Sequence, residues 1–419
     1  MILSGLLLTL LALLGAPLFA IIAFSALLGF HSQGVDPVVV VMEIFRIADT
    51  PVLIAIPLFT FAGYLLGESR APARLVRVTD ALLGWVPGGL AVVALVTCAL
   101  FTAFTGASGV TIVAMGALLY PALQGAGYRE KFNLGLITTS GSLGLLFPPS
   151  LPLILFGVVA QVSIDKLFVA GLLPGILMLV LLSLWSLREG RRLPARDAGR
   201  FSLAEVAGAL REALWELPLP VIVLGGVYSG VFAVSEAAAV TALYVLVIEV
   251  AVYRDVPLRR LPGVMRESMV MVGGILIILG ASLASTNYLI DAQVPEKLLA
   301  FVTAHISSRL TFLLLLNGFL LVLGCMLDLF SALVIVVPLI LPIALSFGVD
   351  PIHLGIIFLA NMQIGYCTPP IGMNLFIASY RFNQPVVTLY RATVPFLAIL
   401  LVTVLLITYW PWLSLAFLG

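Results

Sequence analysis

The sequence predicts an all-α polytopic membrane protein built from two inverted repeats, each a re-entrant helical hairpin followed by a broken helix. Three observations carry this prediction. The 419 residues are 62% hydrophobic and 10% charged, with a mean hydropathy of +1.20, whereas a soluble domain is about a quarter charged. Apolar runs long enough to cross about 30 Å of hydrocarbon as helix recur throughout, and the apolar/polar alternation of a closed barrel is missing. An unusual segment also occurs twice: Gly106-Ala-Ser-Gly109, Pro121, Gly127-Tyr-Arg and Pro148-Pro149 are answered by Asp328-Leu-Phe-Ser331, Pro342, Gly348-Val-Asp and Pro369-Pro370. Pro121 to Pro148 and Pro342 to Pro369 both span 27 residues, and Gly127/Gly348, Gly144/Gly365 and Pro149/Pro370 all keep an offset of 221. Matching interruptions in duplicated hydrophobic segments point to a transporter's binding site.

Apolar segments run roughly over 2–29, 52–66, 88–122, 129–161, 164–187, 217–232, 234–252, 268–288, 310–345, 352–380 and 394–418. The first lacks a basic start and an obvious cleavage site, so it reads as a membrane helix and not a removed signal. Segments 88–122 and 310–345 are too long for one crossing and too short for two with a loop. Their polar or glycine-rich middles, residues 102–109 and 324–331, make each a hairpin with its tip near mid-membrane. Segments 129–161 and 352–380 each contain a double proline, which removes a backbone donor and disfavours helix just before it. Each is expected to unwind, over Ser142 to Pro149 and Gln363 to Pro370. Arg70, Arg74 and Arg77 beside Leu75, Val76 and Leu82 suggest either a helix lying on the membrane surface or a solvated basic loop. The stretch Arg188 to Arg200 reads as a surface connector.

Treating the hairpins as non-crossing puts 17 of the 21 basic residues on one side, leaving Arg46, Lys166, Lys297 and Arg309 on the other. The rich side is then cytoplasmic. Five crossings separate the repeats, so the copies are oppositely oriented: hairpin one enters from the cytoplasm, hairpin two from outside.

Other chemistries find little support. The net charge of +1 carries no basic excess, and no nucleic-acid partner is expected. Cys98, Cys325 and Cys367 lie in apolar segments and require no disulfide, and His31, His305 and His353 have no metal-ligand spacing. There is no P-loop, HExxH or nucleophile elbow, so no enzyme is expected.

Unwound helix at membrane depth survives only when buried in protein or lining a wet cavity. Free carbonyls there suit a hard cation such as sodium, and free amides at helix N-termini suit a carboxylate. Each hairpin-plus-break pair is therefore expected to hold a cation, with an anionic substrate between. The expected sodium ligands are Thr105, Ser108, Gly141, Gly144 and Phe147 at the first pair, and Gly324, Gly365 and Thr368 at the second. The expected substrate contacts are Ser108, Thr139, Ser142, Asp328, Asn361 and Asn374. Close helix packing by small residues is the competing account of these clusters. Asp328 is either a site residue or the N-cap of the second arm.

The segments FTAFTGASGVTIVAMGALLYPAL, GSLGLLFPPSLPLILFG, NMQIGYCTPPIGMNLF and SGVFAVSEAAAV resemble the large membrane subunit of tripartite ATP-independent periplasmic (TRAP) transporters. The resemblance covers nearly the whole chain. It implies a sodium-coupled elevator-type secondary transporter of the ion transporter superfamily in the bacterial inner membrane. It also implies a small four-helix membrane subunit on a separate chain, a periplasmic substrate-binding protein, and an organic acid such as a C4-dicarboxylate or sialic acid as substrate. One departure is Ala233-Val-Ser-Glu236 where the family has Thr-Pro-Thr-Glu; Glu236 there reads as a turn stabiliser. A second is Ile371, which can offer only its backbone carbonyl.

The division expected is 1–83 scaffold helices and a cytoplasmic surface helix, 84–161 transport repeat one, 162–309 scaffold and connector, 310–380 transport repeat two, and 381–419 a C-terminal membrane helix. Separating a hairpin from its broken helix would expose backbone groups to lipid, so the units are expected to move as one body. The competing reading is a stand-alone sodium/dicarboxylate symporter of related fold.

Overall fold

The computed structural model describes residues 14–46, 50–86, 88–191 and 201–418, together with 8, 10 and 11. The start of the 2–29 segment and most of the Arg188 to Arg200 connector lie outside the described residues. Among those described there is no strand. Among the described residues eight helices are long and apolar enough to cross a membrane, nine if Glu130–Leu146 and Leu151–Ala160, bent by 46°, form one span.

A peripheral group comes first. Pro17 sets the start of α1 (Leu18–Ser32), followed by α2 (Val38–Arg46) and α3 (Ala55–Glu68), which a 3₁₀ turn at Pro51–Ile54 introduces. All three lie against α13 (Leu261–Asp291), a 31-residue helix about 46 Å long. Helix α12 (Val234–Leu246), extended by a π turn to Val252, packs on α3. Its partner α11 (Pro218–Tyr228) has only 11 residues.

Residues 71–83, open between surface helix and loop in the sequence, form the helix α4 (Ala71–Leu83), which leads into the first hairpin. That hairpin is α5 (Gly89–Thr105) and α6 (Ser108–Gly125), joined by Gly106-Ala107. Gly106 sits at φ +64, and a Cβ there would lie 2.6 Å from the Leu151 side chain, so glycine is required twice over. The second hairpin, α15 (Arg309–Met326) and α16 (Leu329–Ser346), turns at Leu327-Asp328. Both turns are tighter than the eight-residue stretches that composition marks, because threonine, glycine and serine on either side stay helical.

Helix α7 (Glu130–Ser140) breaks into a 3₁₀ turn at Leu143–Leu146 and resumes as α8 (Leu151–Ala160). Helix α17 (Pro351–Gly365) breaks and resumes as α18 (Met373–Phe382). Gln363 to Gly365, expected to be unwound, remain helical: they lie four to six residues before Pro369, and the helix ends at Gly365, the residue whose carbonyl the ring of Pro369 would meet.

Each hairpin's first arm lies on its own broken helix, α5 on α7 and its 3₁₀ turn, α15 on α17. Each second arm lies on the other repeat's second half-helix, α16 on α8 and α18 on α6. Helices α9 (Ile164–Gly190) and α19 (Val386–Tyr409) follow the two repeats and also pack on them, α9 on α5 and α17, α19 on α7 and α17. One continuous hydrophobic core joins these elements apart from α18, whose Leu375 and Ala378 pack in a smaller cluster with Ile112, Leu134, Leu389 and Ala392.

Two amphipathic helices fall where the sequence reads as loop, α10 (Leu203–Glu212) against α4 and α14 (Val294–His305) against α16. They bury one stripe each and so lack the unbroken apolar run that marks a span.

Candidate substrate and ion site

The two hairpin tips converge on a cavity of about 330 Å3. Gly106 to Gly109 line it from the first tip, Asp328 to Phe330 from the second, and Leu145 and Tyr366 from the two breaks. Met271, Gly274, Ile275 and Ile278 of α13, with Met373 and Ile377 of α18, complete the wall. The α13 residues lie in that helix's middle turns, so the cavity sits near mid-depth of the protein. A wider cleft of about 810 Å3 lies nearer the C-terminal end of α13, between Leu279 to Ile290 and residues 157–165 with Pro338 to Pro342.

The tips differ in their chemistry. Helix α6 begins after Ala107, which has no capping side chain. Thr111 N makes the first backbone bond, to Ala107 O, and the amides of Ser108, Gly109 and Val110 have no acceptor among the described residues. At the equivalent place, Asp328 caps α16 by accepting from Ser331 N at 3.1 Å, and Leu329 N donates to Tyr366 Oη at 2.6 Å. One N-terminus thus offers free donors and the helix dipole to an anion. The other is already filled by a carboxylate whose charge favours a cation.

Ser108 and Asp328, both expected as substrate contacts, are at the cavity. The other four lie fully buried elsewhere. Thr139 Oγ1 donates back to Gly135 O at 2.7 Å. Ser142 Oγ lies 3.5 Å from Gln363 O, its equivalent 221 residues on, so the two breaks meet at a point of internal symmetry. Asn361 Nδ2 donates to Asn317 Oδ1 at 2.6 Å, and Asn374 Nδ2 to Thr138 O at 3.3 Å.

Of the expected sodium ligands, Ser108 and Gly141 are neighbours: a Cβ on Gly141 would be 3.2 Å from Ser108 O. Gly141 O already accepts from Thr102 Oγ1 at 2.9 Å. Gly144 touches backbone of α5 at Ala99 and Ala103, and the Phe147 ring packs on Gly175 of α9. Thr105 Oγ1 is buried with no partner among the described residues. In the second repeat Gly324 and Gly365 are in backbone contact, Thr368 N donates to Gly365 O at 3.0 Å, and Gly372 N donates to Cys325 O at 3.2 Å.

Tyr366, Thr102, Asn317 and the α13 residues were not singled out from sequence. Tyr366 had one available signal, being a polar aromatic inside a break. Gln363 flanks the second break, as read from sequence, and both atoms of its buried amide lack partners among the described residues. The free cysteines Cys98, Cys325 and Cys367 are all buried, and no metal-binding cluster of His, Cys, Asp and Glu occurs among the described residues. Glu236 accepts from Ala233 N at 2.8 Å, half of a capping box, since alanine supplies no reciprocal oxygen.

Comparison with known proteins agrees with this architecture. The family model for "Tripartite ATP-independent periplasmic transporter, DctM component" matches residues 4–413. The chain is 37% identical over 377 residues to the C4-dicarboxylate TRAP transporter large permease protein DctM of Pseudomonas aeruginosa, covering 90% of this chain and 88% of that one. It is 35% identical over 364 residues to the ectoine/5-hydroxyectoine TRAP transporter large permease protein UehC of Ruegeria pomeroyi, covering 87% and 85%. The crystal structure of the Alcanivorax borkumensis YdaH transporter superposes with a TM-score of 0.62 at 15% identity over 90% of this chain and 88% of that one, a likeness of fold. The chain belongs to the DctM family: it is a multi-pass membrane protein, the large permease component of a tripartite transporter, and not an enzyme.

Proposed function

We propose that the chain imports an organic carboxylate by sodium symport across the bacterial inner membrane, receiving it from a periplasmic binding protein and working beside a small membrane subunit on a separate chain. The observation that carries this reading is the mid-depth cavity with an uncapped helix N-terminus on one tip and Asp328 on the other. The open amides of Ser108 to Val110 are suited to a carboxylate. Sodium is assigned to the paired clusters, Thr105, Ser108, Gly141, Gly144 and Phe147 on one side and Gly324, Gly365 and Thr368 on the other, with the charge of Asp328 adding to the attraction. The substrates in the names of the two relatives, a C4-dicarboxylate and ectoine, have a carboxylate in common.

The open end of hairpin one leads through α4 to the Arg-rich face, and that of hairpin two lies beside the far half of α13. This supports inverted, re-entrant hairpins, with the Arg-rich face cytoplasmic. Because second arms pack across the repeats, hairpins and broken helices are joined in one body, with α9 and α19 on it. That body moves as an elevator against α1 to α3 and α11 to α13.

The test is uptake of a panel of labelled carboxylates into proteoliposomes carrying both membrane subunits and the binding protein. Accumulation is expected only with a sodium gradient, at a Hill coefficient above one. Equal uptake under a potassium gradient at fixed pH and voltage would refute sodium coupling. Sodium-driven uptake without the binding protein would favour the stand-alone symporter.

A further inference from the structure

The cavity between the hairpin tips has three polar side chains in its wall, Ser108, Asp328 and Tyr366. The amides of Ser108 and Gly109 have no acceptor, and the Ser108 hydroxyl no partner, among the described residues. Ser108 is 8% exposed, so these donors are withheld from bulk water. Tyr366 already accepts from Leu329 N. Asp328 accepts from Ser331 N and shares its turn with the one first-turn amide left over at that tip, on Phe330. The rest of the wall is apolar, with Leu145, Met271, Ile275, Ile278, Met373 and Ile377 supplying its bulk.

No Lys, Arg or His lines the cavity among the described residues, and the helices and breaks that enclose it are described in full. Arg381 is the basic residue closest to the wall along the chain, four residues past Ile377. Its Nε donates to Val113 O at 3.2 Å. Val113 is five residues past Ser108, about 7.5 Å along α6, while the free amides point the opposite way. A carboxylate resting on those amides is therefore roughly 10 Å from that nitrogen. Arg266 precedes Met271 by five residues, which turns it about 140° around α13 from the wall.

We propose that this cavity takes acids with a single carboxylate on an apolar body, and that Asp328 is the residue that turns away a second carboxylate. The inference rests on the carboxylate and sodium reading above. A cation at each of the two clusters brings two positive charges. Asp328 balances one and a monocarboxylate the other, so the loaded site is neutral. A dicarboxylate leaves one negative charge in excess, and its second end meets either apolar wall or Asp328. An unpaired ion at this depth is costly.

The test is binding to the chain purified with its small membrane subunit, read as the rise in thermal midpoint with ligand in saturating sodium. Three ligands are compared: pentanoate, glutarate, and glutarate monomethyl ester, which keeps the glutarate chain but a single charge. Pentanoate and the ester are expected to bind within a few-fold of each other, and glutarate about tenfold or more weaker. Asp328→Asn should shrink that gap to about threefold or less, since removing one negative charge makes room for another. Hexanoate, adipate and adipate monomethyl ester repeat the comparison at greater length. A diacid that binds as tightly as its ester, or a gap that Asp328→Asn leaves intact, would overturn the proposal while leaving carboxylate transport standing. No shift with any of these acids would overturn the carboxylate reading as well. Should Asp328→Asn not fold, the comparison of diacid with ester in the wild type decides alone.

Discussion

Ala107 and Asp328 occupy the same place in the two repeats, 221 residues apart, as the residues that open α6 and α16. Alanine cannot cap, so the first tip leaves three amides without an acceptor among the described residues, two of them on the cavity-lining Ser108 and Gly109. Aspartate does cap, and Tyr366 takes the next donor; its counterpart in the first repeat is Leu145, which has nothing to offer. The backbone plan is duplicated, but the two electrostatic surfaces are opposite. One duplication can therefore give a site with an anion-seeking half and a cation-seeking half, without any buried lysine or arginine.

The largest effect should come from removing the difference. Ala107→Asp would cap α6 and add a second carboxylate, raising thermal stability by about 0.5–2 kcal/mol while abolishing carboxylate uptake. Retained uptake would show that the Ser108 tip does not receive the anion. Next come the glycines that let each hairpin seat on its break. A Cβ on Gly144 would lie 2.3 Å from Ala99 O, and one on Gly365 2.5 Å from Gly324 backbone. Alanine at either should destabilise by about 1–3 kcal/mol or more, measured as a lowered midpoint in detergent. A loss confined to one would mean that the two seatings are not equivalent.

Tyr366→Phe isolates the second tip. It leaves Leu329 N, on a residue 2% exposed, without its acceptor, at an expected cost of about 1–3 kcal/mol. Asp328→Asn should produce the smallest change in stability, within about 0.5 kcal/mol, because asparagine caps as well as aspartate. Its effect should fall on sodium, with the half-saturating concentration rising several-fold in uptake assays. Normal sodium dependence would reduce Asp328 to a cap.

A second contrast lies in the breaks. Among residues 141–150 only Phe147 escapes full burial, because Gly171 and Gly175 of α9 press against Leu146 and Phe147. Pro369 to Ile371 are exposed, and α19 reaches this break through Tyr390 Oη, which donates to Pro370 O at 2.6 Å. The positions equivalent to those two glycines are Ala392 and Phe396, which lie against Gly135 of α7. Cysteine at Ile371 should therefore react with a soluble thiol reagent and cysteine at Leu146 should not.

Much of this was legible in the residues alone. The proline pairs and the constant offset located both breaks, and glycine and serine between long apolar runs located both tips. The neighbours of those tips were harder to read. Thr139, Asn361 and Asn374 have the polarity of site residues, but the first two sit on helices buried on every side and Asn374 on the buried side of a half-exposed one, and polarity does not say which side faces a cavity. Met271 to Ile278 look like any apolar span, so nothing in their composition marks them as a cavity wall. The tie between Arg74 and Glu216, Glu249 and Asp255 joins residues 142, 175 and 181 positions apart, a distance over which sequence carries no pairing signal.

The sequence by itself determined that this chain spans a membrane, that it is built twice over, and where its helices break. Those properties follow from hydrophobic length, from proline's missing donor and from glycine's missing Cβ, which act within a few residues. The tertiary structure decided that second arms cross between repeats, that the tips meet at the middle of α13, and which buried polar groups find partners. These depend on the rotation of each helix about its axis, which is fixed only when all its neighbours pack together.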